Sequence, residues 1–142
     1  TGLYAHQAGI GDMTENRGYP AYQGYLNNQC LTLGEVLQQA GYTTALSGKW
    51  HVGEAPGHSP QRRGFSNFYG VPKGGGIYFY PSLLDRQVWL NDKQIMPDSS
   101  SFYATDAFND YACRFVESQK NSQRPFFLYL AHVAPHFPLH AK

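Results

Sequence analysis

The sequence predicts an α/β fold, a mostly parallel sheet flanked by helices, and three observations carry that prediction. A capped, apolar-striped helical segment leads straight into a short β-prone segment over 32–47. A second helical stripe over 105–118 is followed, after a polar break, by the continuous apolar run Phe126 to Ala131. Unalternating apolar runs of this length suit strands covered on both faces, as parallel strands are. Two helix-then-strand units in succession indicate α/β architecture.

The 142 residues suffice for one ordinary domain with its own core; 42% are hydrophobic, and 11 Tyr, 9 Phe and 2 Trp supply large buried areas. Residues 1–29 are rich in Gly, Tyr, Asn and Gln without periodicity and read as loop, with at most a short helical turn at the start. Thr32-Leu33-Gly34-Glu35 fits a capping box, in which the Thr hydroxyl accepts from the third helical amide and Glu35 reaches back to the cap. Leu33, Val36, Leu37 and Ala40 then recur at helical spacing, and Gly41 tolerates the left-handed residue that ends a helix. Tyr42 to Ser47 is the β-prone segment, which places Gly48-Lys49-Trp50-His51-Val52-Gly53 beyond its carboxyl end. Residues 54–76 hold dense Pro and Gly punctuation and read as loop, with Gly74-Gly75-Gly76 as a flexible tract that lacks the features of a phosphate loop. Ile77–Tyr80 and Gln87–Ile95 are expected to form a hairpin, with Asn91-Asp92 as its turn. From Thr105 to Ser118, Ala107, Phe108, Tyr111, Ala112, Phe115 and Val116 form the second helical stripe, and Asp106 suits the helix's positive end.

The net charge of +1, without a basic cluster, favours neither nucleic acid nor an anionic membrane as partner. No apolar run approaches the length of a membrane span. Cys30 and Cys113 lie far apart with no C-x-x-C pattern, leaving both a disulfide and two free thiols open. The chain begins at Thr1-Gly2-Leu3 and stops at Lys142 just past a strand-like run, and we expect an internal piece of a longer protein. The missing signal peptide is then silent about compartment.

Two clusters suggest chemistry. On a continuing strand Lys49 and His51 would share a face with Trp50 packed behind, setting a cation beside an imidazole at a strand end, which suits an oxyanion. The same spacing is also met by a solvated lysine and a capping histidine. His132, His136 and His140 stand at the spacing of a metal-binding helix face, but Pro135 and Pro138 oppose a helix. An extended segment that presents His136 rigidly at a pocket fits better, and a hydrogen-bonded structural histidine fits equally well on spacing alone. Asp12, Asp85, Asp92, Asp98, Asp106 and Asp110 show no calcium-loop spacing, and there is no G-x-S-x-G elbow.

Taken in order, five segments resemble the type I sulfatases of the alkaline phosphatase-like superfamily. Thr1-Gly2 is similar to the end of the signature Cys/Ser-x-Pro-x-Arg-x-x-x-x-Thr-Gly, and Leu3 to Gly11 is similar to the stretch just after that signature in arylsulfatases. Thr32-Leu33 through Gly48-Lys49-Trp50-His51 resembles the second signature. Arg63-Gly64-Phe65 with Tyr69-Gly70 resembles an R-G-F-x-x-(F/Y)-G segment. Pro125 to Tyr129 and Ala134-Pro135-His136-Phe137-Pro138 resemble the strand and loop of a later active-site histidine.

The resemblance implies a large, mostly parallel sheet, incomplete here, with residues 1–142 an internal segment of a sulfatase catalytic domain. It implies sulfate ester hydrolysis through a formylglycine nucleophile and calcium. Lys49 would contact the sulfate and the nucleophile's oxygen, His51 would hydrogen-bond the nucleophile's hydroxyl, and His136 would bind a sulfate oxygen and protonate the leaving alcohol. The nucleophile and the calcium ligands would lie outside this segment, so no metal ligand is assigned within it and the segment alone is expected to be inactive. The expected partner is a sulfate ester, a small molecule or a sulfated sugar, and the family suggests a periplasmic, secreted or lysosomal setting. The alternatives are a phosphate or phosphonate ester hydrolase of the same superfamily, and a non-catalytic fragment that binds anions or self-associates through exposed sheet edges.

Overall fold

The computed structural model describes residues 1–82 and 86–142, so Asp85 lies outside the described residues. Helix α1 spans Leu33–Gln39 and carries the capping box: Glu35 N–H donates to Thr32 Oγ1 at 3.0 Å, and Thr32 N–H donates to Glu35 Oε2 at 2.6 Å. Gly41, at φ +90°, turns the chain into strand β1, Thr43–Lys49. The stripe predicted for α1 is not its inward face, since Leu33 and Val36 are 57% and 46% exposed. The helix approaches the body through Gly34, where an added Cβ would lie 2.9 Å from the Phe65 ring. Close approach needs the smallest residue at the contact, and that rotates the apolar stripe outward.

The sheet has the order β4-β3-β2-β1-β5, where β2 is Asn67–Val71, β3 Val88–Leu90, β4 Lys93–Ile95 and β5 Phe126–Ala131. Strand β1 pairs in parallel with both β2 and β5, and β2–β3 and β3–β4 are antiparallel. Strand β2 falls within the stretch expected to be loop, because Gly64, Gly70 and Pro72 interrupt its apolar pattern. Its neighbours make it a strand, with Phe68 and Val71 fully buried. The hairpin turns at Asn91-Asp92 as expected, with Asn91 at φ +54°, but its arms are β3 and β4 alone. Ile77–Tyr80 forms no arm; Phe79 makes one isolated bridge, to Tyr103.

Helix α2, Ala104–Ser118, covers one face of the sheet with Phe108, Ala112 and Phe115 buried, and Ser47 Oγ donates to the Phe108 carbonyl at 2.8 Å. Alternation along β1 sends Leu46 to the other face, where it packs with Phe65 and Phe68. The result is a mixed α/β open sheet with helices on opposite faces. β5 was expected to be buried on both faces, and it is not. It is an edge strand here: β1 pairs with it on one side, no strand among the described residues pairs on the other, and Phe126, Tyr129 and Leu130 are left at 41%, 49% and 38% exposure.

The first thirty residues form turns around a small core of Ala8, Leu26 and Cys30. They are tied to the sheet by Arg63, whose side chain is 4% exposed. Its guanidinium donates to Glu35 Oε1 at 3.0 Å and to the carbonyls of Leu26, Asn27 and Cys30 at 2.9, 3.2 and 2.9 Å. Both cysteines are free thiols, Cys30 buried and Cys113 exposed. No helix among the described residues is long and apolar enough to cross a membrane.

Candidate active site

The parallel pairing of β1 and β5 sends both carboxyl ends to the same side of the sheet, where sites of open α/β folds form. Gly48 makes the close pairing possible: it sits at φ +120°, and a Cβ there would lie 1.9 Å from the Ala131 carbonyl oxygen. Lys49 ends β1, half-buried. Trp50 packs edge-on against Phe65 and donates its indole N–H to the His58 carbonyl at 3.0 Å. His51 does not continue the strand, contrary to the alternation argument. It adopts φ +57°, and its N–H donates to the Pro72 carbonyl at 2.9 Å. A left-handed non-glycine residue is uncommon, and such residues cluster at functional sites.

β5 leads into a turn in which His136 N–H donates to the Val133 carbonyl at 2.9 Å and the Tyr78 hydroxyl donates to the His136 carbonyl at 2.9 Å. His136 Nδ1 sits against the Phe137 carbonyl oxygen; a carbonyl oxygen only accepts, so Nδ1 is the donor in this contact and Nε2 is left for a ligand. The 132–140 segment is not a helix, and His140 instead stacks on Tyr78 at 5.7 Å.

His51 and His136 line one cavity of about 610 Å³, together with Arg86, Lys73, His140 and the three glycines 74–76. The triglycine is not loose. Gly74 and Gly75 are buried, and a Cβ on Gly74 would stand 2.2 Å from the His51 ring. A Cβ on Gly76 would stand 2.8 Å from the Phe137 carbonyl oxygen. The tract is thus the shared floor between the β1 end and the His136 turn. The cationic surroundings act on the titrating groups. Burial, then the charges of Lys49, Arg86 and His136, lowers the pKa of His51 from its ordinary 6.5, which keeps the ring neutral at neutral pH. Burial and then Arg86 likewise lower Lys49. Among the described residues no three His, Cys, Asp or Glu side chains converge as a metal site, so the residues present do not fit a calcium ion.

The sulfatase family profile matches residues 1–142. The chain belongs to the sulfatase family. It is 34% identical to an uncharacterized sulfatase of Schizosaccharomyces pombe over 98% of this chain and 28% of that protein. It is 31% identical to an arylsulfatase of Klebsiella aerogenes over 99% of this chain and 32% of that enzyme. Among solved structures, Ps i-CgsB in complex with k-i-k-neocarrahexaose superposes with a TM-score of 0.85 at 33% identity, covering all of this chain and 34% of that one. BT4656, solved with its substrate D-glucosamine-2-N,6-O-disulfate, gives 0.66 at 30% identity, covering 96% and 23%. The fold is therefore the alkaline phosphatase-like fold of the sulfatases, and the chain spans about a third or less of each of these relatives.

In this sulfatase chain the residues singled out from sequence, Lys49, His51 and His136, come together at one end of the sheet. Three contributors escaped the sequence. Gly74–Gly76 carries no motif that distinguishes a packed floor from a slack loop. Arg86 is a lone cation in an aperiodic stretch. Arg63 had a signal, the R-G-F segment, but nothing in it disclosed which carbonyls the guanidinium would reach.

Proposed function

We propose that this chain is an internal segment of the catalytic domain of a sulfatase that hydrolyses sulfate esters, and that Lys49, His51 and His136 are the sulfate-handling side chains it contributes. One observation carries the reading: these three residues, from two strand ends far apart in sequence, meet at one end of the sheet beside a cavity that His51, His136 and Arg86 line, in a chain of this family. Sulfuryl transfer gathers negative charge on the sulfate and leaving oxygens, and preorganised donors aimed at that charge are what lower its barrier. Lys49 carries three donors on a flexible stem, so it follows the sulfate oxygens from ground state to transition state. His51, kept neutral by burial and neighbouring cations, hydrogen-bonds a hydroxyl nucleophile. His136, with Nδ1 committed to the Phe137 carbonyl, acts as the imidazolium: its Nε2–H donates to a sulfate oxygen and that proton passes to the departing alcohol, leaving the neutral ring.

The formylglycine and calcium that the family resemblance implies would be supplied by chain outside residues 1–142, and no step is assigned to them. The exposed edge and faces of β5, with the outward Leu33 and Val36 of α1, support the idea that further parts of such a domain pack there. By itself the segment is then inactive and prone to associate through that edge. Family membership favours sulfate over phosphate or phosphonate esters. The disulfated glucosamine named as the substrate of BT4656, and the neocarrahexaose held in complex by Ps i-CgsB, support a sulfated sugar as the ester.

The test is Lys49→Ala in the full-length protein, assayed on aryl and sugar sulfates. Turnover should fall on the order of a hundred- to a thousandfold, with a smaller change in KM. Undiminished turnover in a correctly folded variant would remove Lys49 from the chemistry.

A further inference from the structure

Beyond the Lys49, His51 and His136 assigned above to one sulfate, the cavity of about 610 Å³ falls within the roughly 300–1,000 Å³ of small-molecule sites. Its walls away from those residues carry charges of both signs. Arg86 and Lys73 stand there against Glu15 and Glu54, with the exposed Phe79 as an apolar surface. Arg86 is seated rather than free. A Cβ on Gly75 would lie 2.9 Å from its Nε and 3.0 Å from its Nη2, so the guanidinium rests directly against the glycine floor. Its Nε is buried and has no hydrogen-bond partner among the described residues. A buried charged donor without an acceptor is costly, and native structures keep one where a ligand completes it. The planar fork of Arg matches an oxyanion with two parallel hydrogen bonds.

We propose that Arg86, supported by Gly75, is a specificity-determining residue that binds a second anionic group of the substrate, so that the site prefers sulfate esters carrying another sulfate or a carboxylate. The proposal rests on the sulfatase reading of the same cavity. The charge of Arg86 is close enough to be felt by both Lys49 and His51, and an anion bound to it would screen them.

The experiment measures calorimetric binding and sulfate release by the full-length protein with two probe pairs. These are glucosamine 6-O-sulfate against glucosamine 2-N,6-O-disulfate, and galactose 4-sulfate against galactose 2,4-disulfate. The wild type should bind the disulfated member of at least one pair about tenfold or more tightly than its partner. Arg86→Ala should remove that preference while changing affinity for the monosulfated member far less, and Arg86→Lys should keep part of it. Arg86→Gln preserves the side chain's bulk and provides the same readout if the alanine variant does not fold. Absence of preference in both pairs, or an equal loss on both members of a pair, overturns the proposal. Failure of the sulfatase reading looks different: the binding preference and its dependence on Arg86 persist, but no probe releases sulfate.

Discussion

Removing Arg63 tests whether one buried cation organises the first thirty residues against the sheet. Its guanidinium satisfies Glu35 through contacts at 3.0 and 3.4 Å and three backbone carbonyls at 2.9–3.2 Å, with only 4% of the side chain exposed. Arg63→Met keeps most of the aliphatic volume but strands the carboxylate and the carbonyls of Leu26, Asn27 and Cys30. Breaking a buried pair by removing one partner costs about 3–5 kcal/mol, a large part of a typical stability of about 5–15 kcal/mol. Urea unfolding followed by circular dichroism should show that loss as a lower midpoint. The pH dependence is a second readout. In the wild type burial works to raise the Glu35 pKa, but the Arg63 hydrogen bond, the Thr32 amide and the Arg63 charge together lower it below its ordinary 4.5. A lowered carboxyl pKa stabilises the fold above the ordinary value, and that stabilisation is lost as pH falls through the folded-state pKa. Without Arg63, burial should raise the pKa, so acid relieves the variant while it weakens the wild type. The gap between them should narrow from about pH 7 to about pH 4. A loss under about 1 kcal/mol, or a gap that widens in acid, would refute the account.

In the full-length protein Gly74→Ala places a methyl group 2.2 Å from the His51 ring and must displace it; turnover should fall on the order of a hundredfold, with the melting temperature changed much less. His51 should titrate below 6.5 by NMR, and Lys49→Met should move its midpoint upward. Because its folded-state pKa is depressed, the unfolded chain binds the proton first, and His51 withdraws stability as pH falls below its ordinary value. A midpoint at or above 6.5 would contradict the burial and the cationic surroundings described. His136→Ala should slow a sugar or alkyl sulfate by about a hundred- to ten-thousandfold, and an activated nitrophenyl sulfate far less, because nitrophenolate departs without a proton. Equal losses on both esters would make His136 a sulfate-binding group alone.

The sequence by itself determined what depends on near neighbours along the chain. The capping box at Thr32 and Glu35, the stop at Gly41, the stripe over 105–118 and the Asn91-Asp92 turn are set by hydrogen bonds and periodicities within a few residues, and the structure has them in place. The ordered motifs also marked Lys49, His51 and His136, since each carries its own local context. What only the tertiary structure decided depends on which distant segments meet. β2 is a strand because β1 and β3 flank it, although Gly70 weakens its own pattern. β5 is apolar enough for burial on both faces yet is exposed, since burial belongs to the neighbours and not to the segment. His51 reaches the site through a left-handed backbone that the Pro72 carbonyl holds, a contact across 21 positions that no alternation rule contains. Arg63 and Arg86 look alike in sequence, but one is enclosed by four acceptor groups and the other has a buried Nε–H without a partner among the described residues. Long-range packing alone separates a structural arginine from one open to a ligand.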